Sequence, residues 1–264
     1  MPTAPLLILA ERSATTYLLI NALAAHFEIA RVVFVGGHHG RKLLRYRLKR
    51  LGMWVVAGQI AFLVYDRLWI RPRSRKQIAW LLAGHDIRPP DDRLPVIEVE
   101  SVNGPEVSTL ISAVQPGAVV VSGTGIIARR VLALAPTFIN IHCGITPRYR
   151  GVHGAYWAIT EGRPDLAGTT VHLIDPGVDT GAILGQAVIS IDPHTDTYRT
   201  LPVKQYLAGL PLMIAAVEAA LADQLQPYQR DDLASQQWFS PTPGDHLRFR
   251  RQINRLRRAP MRSP

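Results

Sequence analysis

The sequence predicts an α/β fold with a mostly parallel, twisted sheet and helices on both of its faces. Short apolar runs that are typical of buried strands, such as 5–10 and 118–122, recur along the 264 residues. Segments with helical periodicity separate these runs. The chain also opens as strand, helix and strand, at 5–10, 13–26 and 29–35. This alternation favours a parallel sheet with crossover helices.

Each later element follows from a local pattern. Ser13 is a suitable N-cap for the first helix, because its hydroxyl can accept a hydrogen bond from the first turn. Residues 94–100 alternate apolar and polar side chains, as a sheet strand does, whereas 118–122 are apolar as in a central strand. Pro202 and Pro211 are points where the last helix could break. The remaining predicted elements are helices at 104–114, 129–134 and 195–222 and strands at 138–141, 168–175 and 181–191.

The net charge of +10 is concentrated in two segments. Residues 41–76 hold eleven Lys or Arg and one acid, and residues 248–262 hold seven Arg and no acid. Residues 77–247 carry ten bases against seventeen acids. A basic cleft around a central active site is therefore not expected, and nucleic-acid binding is disfavoured as the main function. The arginine-rich end is expected to be a flexible basic tail.

Composition favours a globular, cytoplasmic protein. The hydrophobic content of 47% excludes the disordered class. Cys143 is the only cysteine, so an intrachain disulfide is excluded. The first apolar run has no basic region ahead of it, and it is predicted to be a strand, not a signal peptide.

Residues 41–76 do not fit the strand–helix alternation, and they are interpreted as a helical insertion. They contain fifteen consecutive residues without a charge, 51–65, flanked by basic residues. Fifteen residues fall short of the roughly 20 that span a bilayer. One interpretation is an apolar face packed on the domain. The other is weak contact with a membrane surface, with arginines for anionic lipid and with Trp54 and Trp69 at the boundary, which would give a cytoplasmic location peripheral to the membrane.

Polar side chains end one of the predicted strands. Asn140 and His142 alternate with Ile139 and Ile141, so both polar groups lie on the same face of the sheet. Burying a carboxamide and an imidazole is costly unless both find partners. This strand end is therefore either a structural corner or half of an active site. Downstream, Asp179 lies in a glycine-bounded loop between two predicted strands.

Four motifs around this strand end occur in a specific order: Asn-Ile-His at 140–142, Pro-Arg-Tyr-Arg-Gly at 147–151, Gly-Thr-Thr-Val-His at 168–172 and Asp-Thr-Gly at 179–181. In order and spacing they resemble the folate-dependent formyltransferase family, which includes glycinamide ribonucleotide, methionyl-tRNA and sugar N-formyltransferases. The resemblance extends over about 118–191. It implies a Rossmann-like catalytic domain over 1–224, with the insertion at 41–76, and a short C-terminal extension with a basic tail over 225–264.

The resemblance implies transfer of a formyl group from N10-formyltetrahydrofolate to an amine through a tetrahedral intermediate. Asn140 would hold the developing oxyanion, His142 would stabilise charge and pass a proton, and Asp179 would orient the imidazole. No metal is required. Thr170 and His172 would support these groups. The implied cofactor-binding residues are Gly125, Ile126, Ile127, Asp175, Gly177 and Val178. Arg148, Arg150 and Tyr206 are candidate substrate-binding residues. The two arginines could meet an anionic substrate or the glutamate tail of folate, or they could only cover the surface of the loop.

The acceptor is expected to be an amino sugar or another small amine. The turn after the first strand lacks the glycines of the glycinamide ribonucleotide enzymes, and too few residues follow the long helix for the barrel of the tRNA enzymes. The alternatives are a formyltetrahydrofolate hydrolase and a non-catalytic folate-binding protein. A homodimer is also left open. A nucleophilic Cys143 is disfavoured, because nothing in the sequence activates its thiol. A metal site at His38 and His39 is disfavoured for want of further ligands.

Overall fold

A seven-stranded sheet forms the centre of the protein. The computed structural model describes residues 4–36 and 40–258; His38 and His39 lie outside the described residues. Two further short strands pair beside the main sheet. The strands are β1 (Leu6–Ala10), β2 (Ile29–Val35), β3 (Val96–Val99), β4 (Ala118–Ser122), β5 (Phe138–His142), β6 (Arg150–Gly151), β7 (Gly168–Leu173), β8 (Ile183–Val188) and β9 (Gln237–Trp238).

The sheet confirms the predicted α/β class. Its order is β3-β2-β1-β4-β5-β7-β8. The strands from β3 to β5 pair in parallel, whereas β7 is antiparallel to both β5 and β8. In this topology the carboxyl ends of β4 and β5 lie at one edge of the sheet, where ligands bind in open α/β folds.

The helices are α1 (Ala14–Ala24), α2 (Gly40–Leu51), α3 (Met53–Tyr65), α4 (Arg71–Leu81), α5 (Pro105–Val114), α6 (Arg129–Leu132), α7 (Gly154–Thr160), α8 (Thr200–Leu221) and α9 (Pro243–Arg258). Ser13 caps α1 as expected, accepting from Thr16 N–H at 3.1 Å. The helix predicted at 195–222 corresponds to α8, and the break that Pro202 or Pro211 could cause does not occur, because α8 continues through Pro211. Its neighbours Leu210 and Met213 are buried, and this packing offsets the lost backbone hydrogen bond.

Alternate side chains of the strands face two apolar layers. Leu6 and Ile8 of β1 pack with α1 and α8, and this layer also holds Ile139 and Ile141 of β5. Leu7 and Leu9 face the opposite layer, which includes Ile111 of α5. Because Ile139 and Ile141 fill the first layer, the intervening residues of β5 are presented on the other face.

A third apolar cluster joins the insertion to the C-terminal helix. Phe62 of α3, Tyr156 of α7 and Phe249 of α9 are all buried in it. The rings of Tyr156 and Phe249 stack with centroids 4.5 Å apart. The arginine-rich end is thus a helix through Arg258 and not the expected flexible tail, because Phe249 and Ile253, one turn apart, anchor one face of α9.

The insertion is helical, as expected, and it holds one irregular turn. A π-helical turn, Asp66–Ile70, connects α3 and α4, so Met53–Leu81 runs as one helical stretch. Asp66 is buried in this turn and forms an ion pair with Arg199 at the start of α8. Two stretches, Met53–Leu81 and Thr200–Leu221, are long and apolar enough to cross a membrane by length and composition.

Candidate active site

A cavity of about 410 Å³ opens at the carboxyl ends of β4 and β5. It is lined by the strand end of β5, the segment after β4, the segment between β6 and α7, the loop between β7 and β8, and the start of α8. This position brings together residues from five separated parts of the chain. Its volume is within the range of small-molecule sites, about 300–1,000 Å³.

Asn140 and His142 line this cavity together. Both project from β5 on the face opposite Ile139 and Ile141, as their alternation predicts. Asn140 Nδ2 lies 3.1 Å from Nε2 of His172, its cross-strand partner on β7. His142 is buried, with 6% of its surface exposed. The antiparallel pairing of β5 and β7 therefore sets the distance between the amide and the second imidazole.

Asp179 lies between the two imidazole rings. Its Oδ2 is 3.4 Å from His142 Nδ1, and its Oδ1 is 3.5 Å from His172 Nε2. The backbone N–H of Gly151 donates to Asp179 Oδ2 at 2.8 Å. Asp179 has a left-handed backbone, φ 50°, which turns its side chain from the loop into the cavity.

The electrostatic environment keeps Asp179 ionised. Burial by itself would raise the pKa of Asp179, but the charge of His142 and the hydrogen bond from Gly151 N–H hold that pKa well below its usual range. A carboxylate with these neighbours remains negative at neutral pH. It is therefore a fixed charge at the back of the cavity.

Backbone carbonyls fix one nitrogen of each histidine. His142 Nε2–H donates to Tyr149 O at 2.7 Å, and His172 Nδ1–H donates to Leu173 O at 2.7 Å. A carbonyl only accepts, so these nitrogens carry hydrogen. The other nitrogen of each ring faces Asp179. A proton on His142 Nδ1 would thus point at the carboxylate, and the arrangement is complementary to an imidazolium.

The six residues expected to bind the cofactor all line the cavity. Ile126 is 60% exposed at the mouth, whereas Ile127 is buried below it. On the other side, Asp175 organises the loop, since its Oδ1 accepts from Gly177 N–H at 3.0 Å and from the Thr180 hydroxyl at 2.6 Å. The cavity thus has an apolar wall facing a polar loop.

The three residues expected to bind substrate have different positions. Tyr206 lines the cavity, and its hydroxyl lies 2.9 Å from Ser122 Oγ. Arg148 does not line it, because its guanidinium binds both carboxylate oxygens of Glu161 at 2.9 Å. Arg150 is also outside the cavity wall, and its Nη1–H donates to Val178 O at 2.9 Å. Arg150 thereby holds the loop that carries Asp179.

Thr170 and His172 were expected to support the catalytic groups, and their positions differ. The Thr170 hydroxyl donates to Gly144 O at 2.7 Å and accepts from Thr146 N–H at 3.1 Å, so it braces the loop after β5. His172 instead lines the cavity and contacts Asn140 directly. It is part of the polar cluster itself.

His153 lines the cavity and was not among the predicted site residues. It precedes α7 with a left-handed backbone, φ 58°, and its Nε2 lies 2.6 Å from the Tyr198 hydroxyl. Burial lowers the pKa of His153 to about 4, with Arg199 contributing. The sequence offered one signal, a histidine between Val152 and Gly154, directly after the motif at 147–151. Its left-handed backbone could not be predicted, because that conformation is typical of glycine and not of histidine.

A nucleophilic Cys143 receives no support from this geometry. Burial raises the pKa of the Cys143 thiol to about 12, and the charge of Asp179 adds to that effect. A thiol with this pKa is a poor nucleophile at neutral pH. Within 4–36 and 40–258, no group of three or more His, Cys, Asp or Glu side chains is placed to hold a metal ion.

Sequence comparison relates the chain to formyltransferases. The sequence of methionyl-tRNA formyltransferase from Chloroflexus aurantiacus is 34% identical over 140 residues, which is 52% of this chain and 44% of that protein. The chain spans about half the length of the methionyl-tRNA formyltransferases that it matches.

Solved structures share the fold. A sugar N-formyltransferase from a Shewanella species superposes with a TM-score of 0.57 at 15% identity, covering 95% of this chain and 88% of that one. An N-formyltransferase from Helicobacter canadensis, in complex with folinic acid and dTDP-3-aminofucose, gives a TM-score of 0.53 at 17% identity, covering 90% and 71%. Residues 74–217, more than half of the chain, match the sequence profile of the family described as formyl transferase. The chain belongs to the formyl transferase family.

Proposed function

We propose that this protein transfers a formyl group from N10-formyltetrahydrofolate to the amine of a small acceptor. The observation that carries the proposal is the meeting of Asn140, His142 and Asp179 at one cavity, with His142 Nδ1 3.4 Å from the Asp179 carboxylate. An amide donor, an imidazole and a fixed negative charge are the groups that acyl transfer between two nitrogens requires.

The cavity walls fit a folate. Val121, Ile126, Ile127 and Ile174 give an apolar surface for a flat ring, and the loop 175–178 faces it. The backbone of Gly125 is open to polar atoms of the ring, because no other atom lies within 4 Å of the place that a side chain would occupy. These residues would hold the pterin end. The bound folate would supply the formyl group.

Asn140 and His142 would act on the reacting centre. One hydrogen of Asn140 Nδ2 is directed to His172, and the other is free to donate to the formyl oxygen as negative charge develops. Such a donor contributes ~10²–10³ in rate. His142, protonated at Nδ1 opposite Asp179, would stabilise the same charge. It would also take part in moving the proton from the attacking amine to the departing nitrogen.

Charge around the cavity favours an amine acceptor. Among the described lining residues, Asp175 and Asp179 are acids and none is Lys or Arg. A phosphate group would meet no lysine or arginine inside this cavity, whereas an amine is attracted to its two carboxylates. His153, Pro202 and Tyr206 also line the cavity, and they would contact the acceptor. An amino sugar is the acceptor that we favour.

The proposal is tested by measuring tetrahydrofolate release from N10-formyltetrahydrofolate with a panel of amino-sugar nucleotides, free amino sugars and polyamines. Release that requires one class of amine would support the transferase and identify the acceptor class. Asn140→Ala should lower kcat by at least about 100-fold with little change in folate affinity. Asn254→Ala removes an exposed asparagine outside this cavity and serves as the matched control.

The same assay distinguishes the alternatives. Release without any amine, lost in His142→Ala but retained in the exposed control His85→Ala, would indicate a hydrolase. Folate binding by calorimetry without release under any condition would indicate a folate-binding protein and would contradict the proposed transfer.

A further inference from the structure

The exposed face of α3 is almost entirely apolar. Three residues at a spacing of three, Val56, Gln59 and Phe62, are buried against the protein. Around them the helix exposes large apolar side chains: Met53 62%, Trp54 80%, Val55 41%, Ile60 52%, Leu63 42% and Val64 52%. A helix on the surface of a globular protein normally has charged residues on this face, and α3 has none. Contiguous exposed apolar surface of this kind indicates an interaction site.

The neighbouring helix α2 is strongly basic. It contacts α3 and contains six Lys or Arg and no acid, GRKLLRYRLKRL. Arg45 and Lys49 are exposed, and neither forms an ion pair with another described side chain. The only acid of residues 41–76, Asp66, is buried and paired with Arg199, so it does not neutralise this face.

We propose that α2 and α3 form a docking surface for an anionic phospholipid bilayer. The insertion surface consists of the exposed apolar residues of α3 and the exposed bases of α2. The apolar side chains would enter the boundary between head groups and acyl chains, and the bases would pair with lipid phosphates. Trp54, the most exposed of the large apolar side chains of α3, suits the interface because its ring is apolar while its N–H can remain solvated.

The positive charge of α2 favours an anionic bilayer over a second copy of the chain as the partner of this surface. Two copies joined through the insertion surface would bring two basic helices together without an acid in either. Anionic lipid supplies the missing counter-charge. The helix lies on the bilayer and does not cross it, because Val56, Gln59 and Phe62 of α3 are packed on the protein and Asp66, directly after α3, is paired with Arg199.

The insertion surface is connected to the candidate active site. On its buried side, the ring of Phe62 contacts Tyr198 with centroids 5.0 Å apart, and Tyr198 bonds His153, which lines the cavity. Two side chains, Phe62 and Tyr198, therefore link α3 to the wall of the cavity. Membrane binding does not rest on the proposed function, since it requires no turnover.

The test is co-sedimentation of the full chain with vesicles of phosphatidylcholine alone and of phosphatidylcholine mixed equally with phosphatidylglycerol. We expect binding to the anionic vesicles to be at least about tenfold tighter and to weaken as salt is raised. Arg45→Glu with Lys49→Glu should reduce that binding at least about tenfold, and Trp54→Ser with Leu63→Ser should also reduce it severalfold. Arg129→Glu and Val188→Ser, exposed on α6 and β8, are the matched controls and should bind like the unmodified protein.

Insertion depth gives a second readout. Bromine-labelled lipid should quench tryptophan emission in the unmodified protein and quench it less in Trp54→Phe, although four other tryptophans remain. Equal affinity for the two kinds of vesicle, absence of binding to either, or a dimer in ultracentrifugation that Trp54→Ser dissociates would each overturn the proposal. None of these results depends on formyl transfer, so failure of one proposal is separable from failure of the other.

Discussion

The carboxylate of Asp179 faces the ring of His142, with Oδ2 3.4 Å from Nδ1, and both side chains are largely buried. The opposite ring nitrogen of His142 is already committed to Tyr149 O. The geometry therefore permits an ion pair in which the Asp179 carboxylate stabilises a proton on His142 Nδ1. A neutral amide at position 179 would keep the shape and remove the charge.

Asp179→Asn is expected to lower kcat by at least about 100-fold, within the range contributed by positioned acid–base groups. The Michaelis constant for the folate should change less, because the substitution preserves the size of the side chain. Steady-state release of tetrahydrofolate measures both parameters. Asp92→Asn, at an exposed position, is the control. Similar turnover in both variants would contradict a role for the Asp179 charge.

Stability should depend on the same carboxylate at acid pH. The pKa of Asp179 is held below its ordinary value of ~3.9, so its contribution is complete above that pH and is lost as pH falls through the folded-state pKa. Urea unfolding at about pH 7 and about pH 3 should therefore show a stability gap between the unmodified protein and Asp179→Asn that narrows at the lower pH. A gap of the same size at both pH values would contradict this account.

Much of the candidate site is predictable from the sequence. Alternation along β5 places Asn140 and His142 on one face, because strand periodicity is independent of distant contacts. The order of the motifs also relates this strand to the loop of Asp179. The contact between Asn140 and His172 was not predicted, because it depends on the antiparallel register of β5 with β7. Register is a property of two strands and cannot be derived from one.

Other features depend on partners that are distant in the sequence or lie across a turn. Arg148 forms an ion pair with Glu161, which lies thirteen residues further along the chain. Because of this pairing, the Arg148 side chain does not line the cavity. The order of α9 depends on Phe249 stacking on Tyr156. Phe249 and Ile253 are four residues apart in the sequence, a spacing that is typical of one face of a helix. The seven arginines of 248–262 nevertheless favoured the expectation of a flexible tail.

Burial of His153 predicts a second acid-dependent loss of stability. The pKa of His153 falls from 6.5 to about 4 in the folded protein, so the unfolded chain takes up a proton first as pH is lowered. The free energy of unfolding should therefore decrease between about pH 6.5 and about pH 4, by up to about 3 kcal/mol. In His153→Gln this decrease should be smaller. Equal pH dependence in chemical denaturation of the two proteins would contradict the prediction.

The ion pair between Asp66 and Arg199 predicts unequal effects of removing its two members. Asp66 is 1% exposed, whereas Arg199 is 39% exposed at its side chain. Arg199→Met would leave a buried unpaired charge and should destabilise the protein by about 3 kcal/mol. Asp66→Asn leaves only a partly exposed arginine unpaired, so it should lower the free energy of unfolding by less. Urea unfolding of both variants and of the double variant measures the coupling. A smaller loss for Arg199→Met than for Asp66→Asn would contradict this prediction.

Gly144 lies where β5 turns away from the sheet, and its substitution tests how closely the backbone approaches His142. A Cβ at this position would lie 2.6 Å from His142 Nε2 and would also meet Tyr149 O, the acceptor of that nitrogen. Both neighbours are fixed, so the ring must move away from Tyr149 O. Gly144→Ala is therefore expected to reduce kcat by at least about tenfold, since displacements of about 1 Å can cost ~100-fold.

The matched control for this substitution is Gly244→Ala at the start of α9. A Cβ there would meet only Thr242 Oγ1, at an ordinary distance of 3.7 Å, and the backbone is not left-handed. It should retain full turnover. Because Gly144→Ala could also destabilise the fold, unfolding in urea should be measured beside turnover for both variants. Normal turnover in a folded Gly144→Ala protein would show that the hydrogen bond from His142 to Tyr149 O is not needed to position the imidazole.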